Sequence, residues 1–234
     1  MAISKSDIIP ILKYIADQKC EYTLLRPENL IERPNSYNDI DLCMCADDIA
    51  KFIVHLTACA NAMGGSVEAR RMGPFETAVA IKQNGNDAIK IDIQSRIAWR
   101  GFQFFECEDI SKTGTYRDNI RHVDKKYGDI VMFVKEILGR KNVRRKPEWW
   151  RGFAERVAQE SDVYEAILKD HAFRVFAGKL IGRIKCGDYE WIENRAQLLR
   201  TIFIVTQLSR QPISSVLEHS KWWYRSISCR LGLQ

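Results

Sequence analysis

The spacing of apolar residues changes near residue 127. Before it, short stretches of alternation dominate; after it, apolar residues recur three and four apart. Ile8, Ile11, Leu12 and Ile15 make a stripe that predicts a first helix over 6–19. Ser4 or Ser6 supplies its cap, and Pro10 is tolerated in its first turn. A short strand follows over 22–25. In the run from Asp39 to Met44, Ile40, Leu42 and Met44 alternate with Asp39, Asp41 and Cys43, which predicts a strand with both aspartates on one face. Asp47 is expected to cap a second helix reaching about Met63, with Phe52, Ile53 and Leu56 on one side and Gly64-Gly65 at its end. Strands are predicted near 66–71, 76–82 and 88–94, with Asn84-Gly85-Asn86-Asp87 as the turn between the last two, and one more over 101–106. Helix, strand, strand, helix and then several strands describes a small mixed sheet of the α+β class, not a repeating βαβ array.

From Tyr127 the period is helical. Ile130, Phe133, Val134, Ile137 and Leu138 predict a helix ending at Gly139. The basic run Arg140 to Lys146 reads as a linker, and helices are predicted over 148–159, 161–186, 188–208 and 212–231. The expected organisation is a mixed-sheet domain over 1–126 and an all-helical domain over 127–234. Trp149-Trp150 and Trp222-Trp223 fit helix packing.

Composition adds limits. The 234 residues are 46% hydrophobic and 28% charged, ordinary for a globular chain. No apolar run approaches the ~20 residues of a membrane helix, so no membrane span is predicted. Residues 1–6 lack a signal-peptide pattern, so a cytoplasmic protein is expected. Seven cysteines are scattered without a Cys-x-x-Cys pair, and they read as reduced thiols rather than a zinc site. Residues 1–139 carry net charge −2 and residues 140–234 carry +8, together the +6 of the chain. The basic residues are spread through helical patterns as solvated faces. With no helix-turn-helix or stacking motif, nucleic acid is not expected as a partner.

The candidate chemistry lies on the acidic strand. Asp39 and Asp41 are about 6–7 Å apart along one face. Like charges so placed call for a partner, and a hard divalent cation such as Mg²⁺ suits carboxylate oxygens and leaves positions for phosphate. Asp92, between Ile91 and Ile93, stands on a second short strand as a third carboxylate. Two other readings stay open: edge-strand charges that discourage aggregation, or partners of nearby arginines. Arg26 offers a charged fork either to a phosphate or to Asp39 or Asp41. Arg70 and Arg71, beside the Gly73-Pro74 turn, are candidate phosphate contacts or plain surface residues. His122 is either near the site or a surface residue.

The stretch from Glu21 to about Phe105 resembles the nucleotidyltransferase fold of the DNA polymerase beta superfamily, on Asp39-x-Asp41 and the later Asp92. Tyr22 to Pro27, Asn38 to Leu42, Ile91 to Ile93 and Trp99-Arg100-Gly101 look like nucleotidyltransferase-like proteins of bacterial surface-polysaccharide gene clusters. Some of those carry a thymidylate-kinase-like domain after a helical region similar to residues 127–226, which implies a possible kinase-like partner domain; the Gly-x-x-x-x-Gly-Lys-Ser/Thr phosphate loop itself is not in this sequence. The resemblance implies a Mg²⁺ (or Mn²⁺)-dependent nucleotidyltransferase taking a nucleoside triphosphate and an unidentified acceptor, sugar or glycan-related. It implies Asp39, Asp41 and Asp92 as metal ligands and catalytic residues, with Arg26, Asn38 and Arg71 on the nucleotide. One departure stands out: Leu25-Arg26-Pro27 replaces the family's Gly-Gly or Gly-Ser, and Pro27 has no NH to give a phosphate. A catalytically silent binding module is the alternative this departure favours. An Asp-x-Asp glycosyltransferase is a lesser one, because residue 39 comes too early for the nucleotide-binding region that normally precedes such a motif.

Overall fold

The computed structural model describes residues 3–26, 39–139 and 147–230. The chain divides into two compact units, 1–97 with 105–124, and 98–104 with 125–234. The predicted nucleotide contact Asn38, the departing Pro27 and the basic linker 140–146 lie outside the described residues.

The first unit is a mixed α/β layer. A 3-10 turn, Lys5–Asp7, leads into α1 (Ile8–Asp17), and the Asp7 carboxylate accepts from the Ser4 backbone N–H at 2.7 Å. Strand β1 (Thr23–Leu24) and the acidic strand β2 (Ile40–Cys43) precede α2 (Ala46–Ala62). The cap of α2 is Cys45 and not Asp47, which sits inside the first turn beside Asp48, where the helix dipole favours negative charge. Next come β3 (Ser66–Arg71), β4 (Glu76–Gln83) and β5 (Asn86–Gln94). Asn84 and Gly85 both have positive φ, 52° and 80°, and make the two-residue hairpin turn. The hairpin β6 (Arg96–Trp99) and β7 (Phe102–Glu106), helix α3 (Cys107–Thr113), and the short strands β8 (Thr115–Arg117) and β9 (Ile120–His122) follow. Of these only β7 was predicted.

Seven strands form one sheet in the order β3-β4-β5-β2-β1-β9-β8. β2 runs parallel to β5 and β1 parallel to β9; the other pairs are antiparallel. Ile40, Leu42, Val79, Ile81, Ile89, Ile91 and Ile93 join Ile8, Leu12 and Ile15 of α1 and Phe52 and Leu56 of α2 in one core. Strand alternation therefore turns Asp41 and Asp92 to the face away from these helices.

The second unit combines the hairpin tip 98–104 with seven helices among the described residues. These are α4 (Lys125–Gly139), α5 (Pro147–Gln159), α6 (Ser161–His171), α7 (Ala177–Lys185), α8 (Tyr189–Asn194), α9 (Ala196–Arg210) and α10 (Pro212–Arg230). The predicted helix 161–186 breaks at 172–176, where the chain turns inward and buries Ala172 and Phe173. The predicted helix 188–208 breaks at Arg195, whose φ and ψ of −108° and 9° leave the helical region. Trp150 is buried against Phe133 and Phe153 as expected of a packing residue. Trp223 is 49% exposed and donates its indole N–H to His219 Nε2 at 2.9 Å, so the second tryptophan pair is not core.

Candidate functional site

Parallel pairing of β2 with β5 sets Asp41 level with Asp92. Neighbouring strands stand about 4.8 Å apart, so two carboxylates project from one face as nearest neighbours. Asp41 is 7% exposed; Asp92 and Asp39 are half-buried. The row continues across the sheet: Asp92 pairs with Ala78, and Ala78 with Arg70. Arg70 therefore shares the carboxylates' face, while Arg71 falls on the opposite pleat. Arg71 is taken up by its own turn, donating to Gly73 O at 3.3 Å and Pro74 O at 3.0 Å. Of the two arginines, the structure brings the unassigned one, Arg70, toward the acidic row. The signal was in the sequence: Val67 and Ala69 alternate with Glu68 and Arg70.

Arg26 reaches the pair from β1. The Leu25 N–H donates to Asp41 O at 2.9 Å, and the next residue, Arg26, sets its guanidinium against the Asp41 carboxylate and 3.9 Å from Asp39. Asp41 Oδ2 lacks a partner of ordinary hydrogen-bond geometry, so its compensation is this ion pair. The bridging guanidinium offsets the repulsion between Asp39 and Asp41. Of the two roles open to Arg26, the carboxylate pairing is the one present.

The donor set is all carboxylate oxygen, which suits Mg²⁺ or Mn²⁺ in kind. The three aspartates are not drawn into one cluster. Among the described residues, no group of three or more His, Cys, Asp or Glu side chains is placed to hold a metal ion. Arg26 supplies positive charge where a cation would otherwise be needed.

Beside the acidic row, Arg70, Ala78, Ala80, Lys82, Lys90 and Asp92 line a cleft of about 240 Å³. The alanines leave a low floor between longer charged walls. Lys82 pairs with Glu68, which holds its ammonium above the ordinary value, and Lys90 pairs with Asp87 at 3.1 Å.

The reading of all cysteines as reduced thiols is corrected: Cys43 and Cys107 form a disulfide. It joins the end of β2, two residues beyond Asp41, to the first residue of α3. The spacing of 64 residues gave no hint, since only the fold brings the two thiols together. Thr23 Oγ1 and Ser111 Oγ, 3.0 Å apart, fasten α3 to β1 as well. His122 is 8% exposed on β9, two strands from β2, and is not the surface histidine that one reading made it.

No helix among the described residues is long and apolar enough to cross a membrane. Comparison with known proteins finds no matching family model, no matching curated protein and no matching solved structure.

Proposed function

We propose that the first unit is a nucleotidyltransferase-like domain, and that its acidic row binds a nucleoside triphosphate with Mg²⁺ so that an acceptor hydroxyl attacks the α-phosphorus, the bond to the β-phosphate breaks and pyrophosphate leaves. The observation that carries this reading is the register of Asp41 beside Asp92 on parallel strands, with Asp39 one pleat back, on the face opposite α1 and α2. A level pair of carboxylates on neighbouring strands would face a cation together once Arg26 moved away. Asp39, Asp41 and Asp92 would hold the metal, whose charge offsets that of the triphosphate. Asp92, the most accessible to the 240 Å³ cleft, would accept the proton of the attacking hydroxyl. Arg26 would leave Asp41 when a cation arrives and turn its fork to a phosphate. The acceptor, of the sugar or glycan class, would lie over the alanine floor.

A second reading is favoured by one observation, the ion pair of Arg26 with Asp41. On that reading the arginine has permanently replaced the metal, and the domain is a binding module without turnover. Thermal shifts with each nucleoside triphosphate, with and without Mg²⁺, separate the two. A ligand at 100 times its dissociation constant adds about 2.7 kcal/mol. The enzyme reading expects a metal-dependent shift in wild type that Asp41→Asn abolishes. No shift with any triphosphate, in wild type or in Arg26→Gln, favours the silent module.

A further inference from the structure

The second unit gathers three cations around one indole. Phe176, Lys179 and Arg183 recur three and four apart along α7 and its entry, so they share a face. Trp191 and Arg195, four apart, come from α8 and its end. Gly187, at φ +65°, turns the chain back between the two helices, and the Gly187 N–H donates to Ile184 O at 2.9 Å. The result sets Arg195 4.5 Å, Arg183 5.2 Å and Lys179 5.4 Å from the centroid of the Trp191 ring. Phe176 lies near-parallel to Trp191 at 6.2 Å, with Lys179 5.6 Å above it.

Among the described residues, one acid forms an ion pair with any of these three cations. Asp188 pairs with Arg183 at 2.6 Å and accepts from the Trp191 backbone N–H as the cap of α8. Among the described residues, no acidic side chain forms an ion pair with Lys179 or Arg195, and both are exposed. Lys179 and Arg183, four apart on one helix, repel each other. Exposed Arg174 stands two residues before Phe176, and burial followed by Arg174's charge lowers Arg210 from its ordinary value. Over residues 174–195, Arg174, Lys179, Arg183, Lys185 and Arg195 stand against Asp188, Glu190 and Glu193, a net charge of +2.

We infer that this face binds the backbone of a single-stranded nucleic acid. An exposed cation holds one free anion weakly, because water and salt screen the pair. A polyanion gains instead by releasing condensed counterions at every contact. The ring faces are taken by Phe176 and the cations, so the contacts run through phosphates, and a flexible single strand can bend to meet cations gathered across a turn. Contacts of this kind read no sequence. The expectation that nucleic acid is no partner rested on the lack of a clustered motif; the cluster forms only across the turn at Gly187.

The test uses the full chain and a fluorescein-labelled 20-nucleotide single strand of mixed sequence, with anisotropy read from 0.05 to 0.2 M salt. Three phosphate contacts at about 0.7 each put roughly 2 into the slope of log affinity against log salt. Replacing Lys179, Arg183 and Arg195 by Gln is expected to remove that part of the slope and to weaken binding about tenfold or more at 0.05 M salt. Trp191→Phe, which keeps a ring but weakens its hold on the cations, should give an intermediate loss. A thermal melt confirms that each variant is folded. Replacing three exposed cations of the first unit, Lys51, Lys112 and Arg117, by Gln serves as a charge-matched control. The proposal is overturned if wild type does not bind the strand at 0.05 M salt, or if the control loses as much as the cluster variant. It is equally overturned if phosphatidylserine vesicles bind the protein and the strand does not.

Discussion

Arg26 is the residue on which the site turns. Its guanidinium bridges Asp39 and Asp41, at a place where the proposed nucleotidyltransferase reading would expect small residues with NH groups facing phosphate. The sequence made the three aspartates legible through strand alternation, and it offered both roles for Arg26. Which role is filled depends on where β1 ends, and no local pattern encodes that. Arg70 and Arg71 show the same limit from another side: one step along a strand exchanges faces, so choosing Arg71 missed the arginine on the acidic row. A separate residue makes a pH prediction. Cys20, 3% exposed and close to Asp48, has its thiol pushed up to about 11 by burial first and by Asp48 second. The unfolded chain releases this proton near pH 9 while the folded chain keeps it, so stability falls as pH rises from about 9 to about 11. The share of this thiol is on the order of 2 kcal/mol and should be missing in Cys20→Ala when urea midpoints are compared across that window, while the part that the buried phenols of Tyr22 and Tyr164 add above pH 10 remains.

At the scale of elements, periodicity carried far but not through tertiary breaks. Strands β3, β4 and β5 and their Asn84-Gly85 turn were readable because alternation and turn chemistry agree. The breaks at 172–176 and 195 were not, because neither contains Gly or Pro. Phe173 leaves the helical path to bury itself against Phe203, a gain no local propensity announces. The small pieces α3, β8 and β9 are too short for any period to register. Helices α4, α5 and α6 are joined by a polar knot the sequence did not suggest. Asp129, 2% exposed, accepts from Arg156 Nε and Nη2 at 2.7 and 2.8 Å and from the Tyr164 hydroxyl at 2.9 Å. The bond to Asp129 raises Arg156, and burial raises the Tyr164 phenol. Asp129→Ala leaves a guanidinium and a hydroxyl without their acceptor. Because Arg156 keeps some exposure, the cost should fall at the low end for broken buried pairs, about 3 kcal/mol. A urea midpoint lowered with an unchanged slope would bear this out, and a change under ~1 kcal/mol would refute the coupling.

For the whole molecule, the mixed α/β character was visible in the order of elements, while the staple between Cys43 and Cys107 was not. It closes a separation of 64 residues and ties α3 to the end of the acidic strand. By the chain-entropy account such a loop contributes about 4 kcal/mol. Wild type under reducing conditions, and Cys43→Ser with Cys107→Ser under oxidising conditions, should both unfold at lower denaturant by a similar amount. Equal midpoints with and without reductant would contradict it. The central claim concerns the acidic row, and the most direct measurement is the binding of Mn²⁺, followed by its paramagnetic resonance signal, with and without nucleoside triphosphate. The account predicts that wild type takes up Mn²⁺ tightly only when the triphosphate is present, and that Asp41→Asn and Asp92→Asn lose this uptake while remaining folded. Uptake that neither variant alters, or none in wild type or Arg26→Gln with any triphosphate, would contradict it.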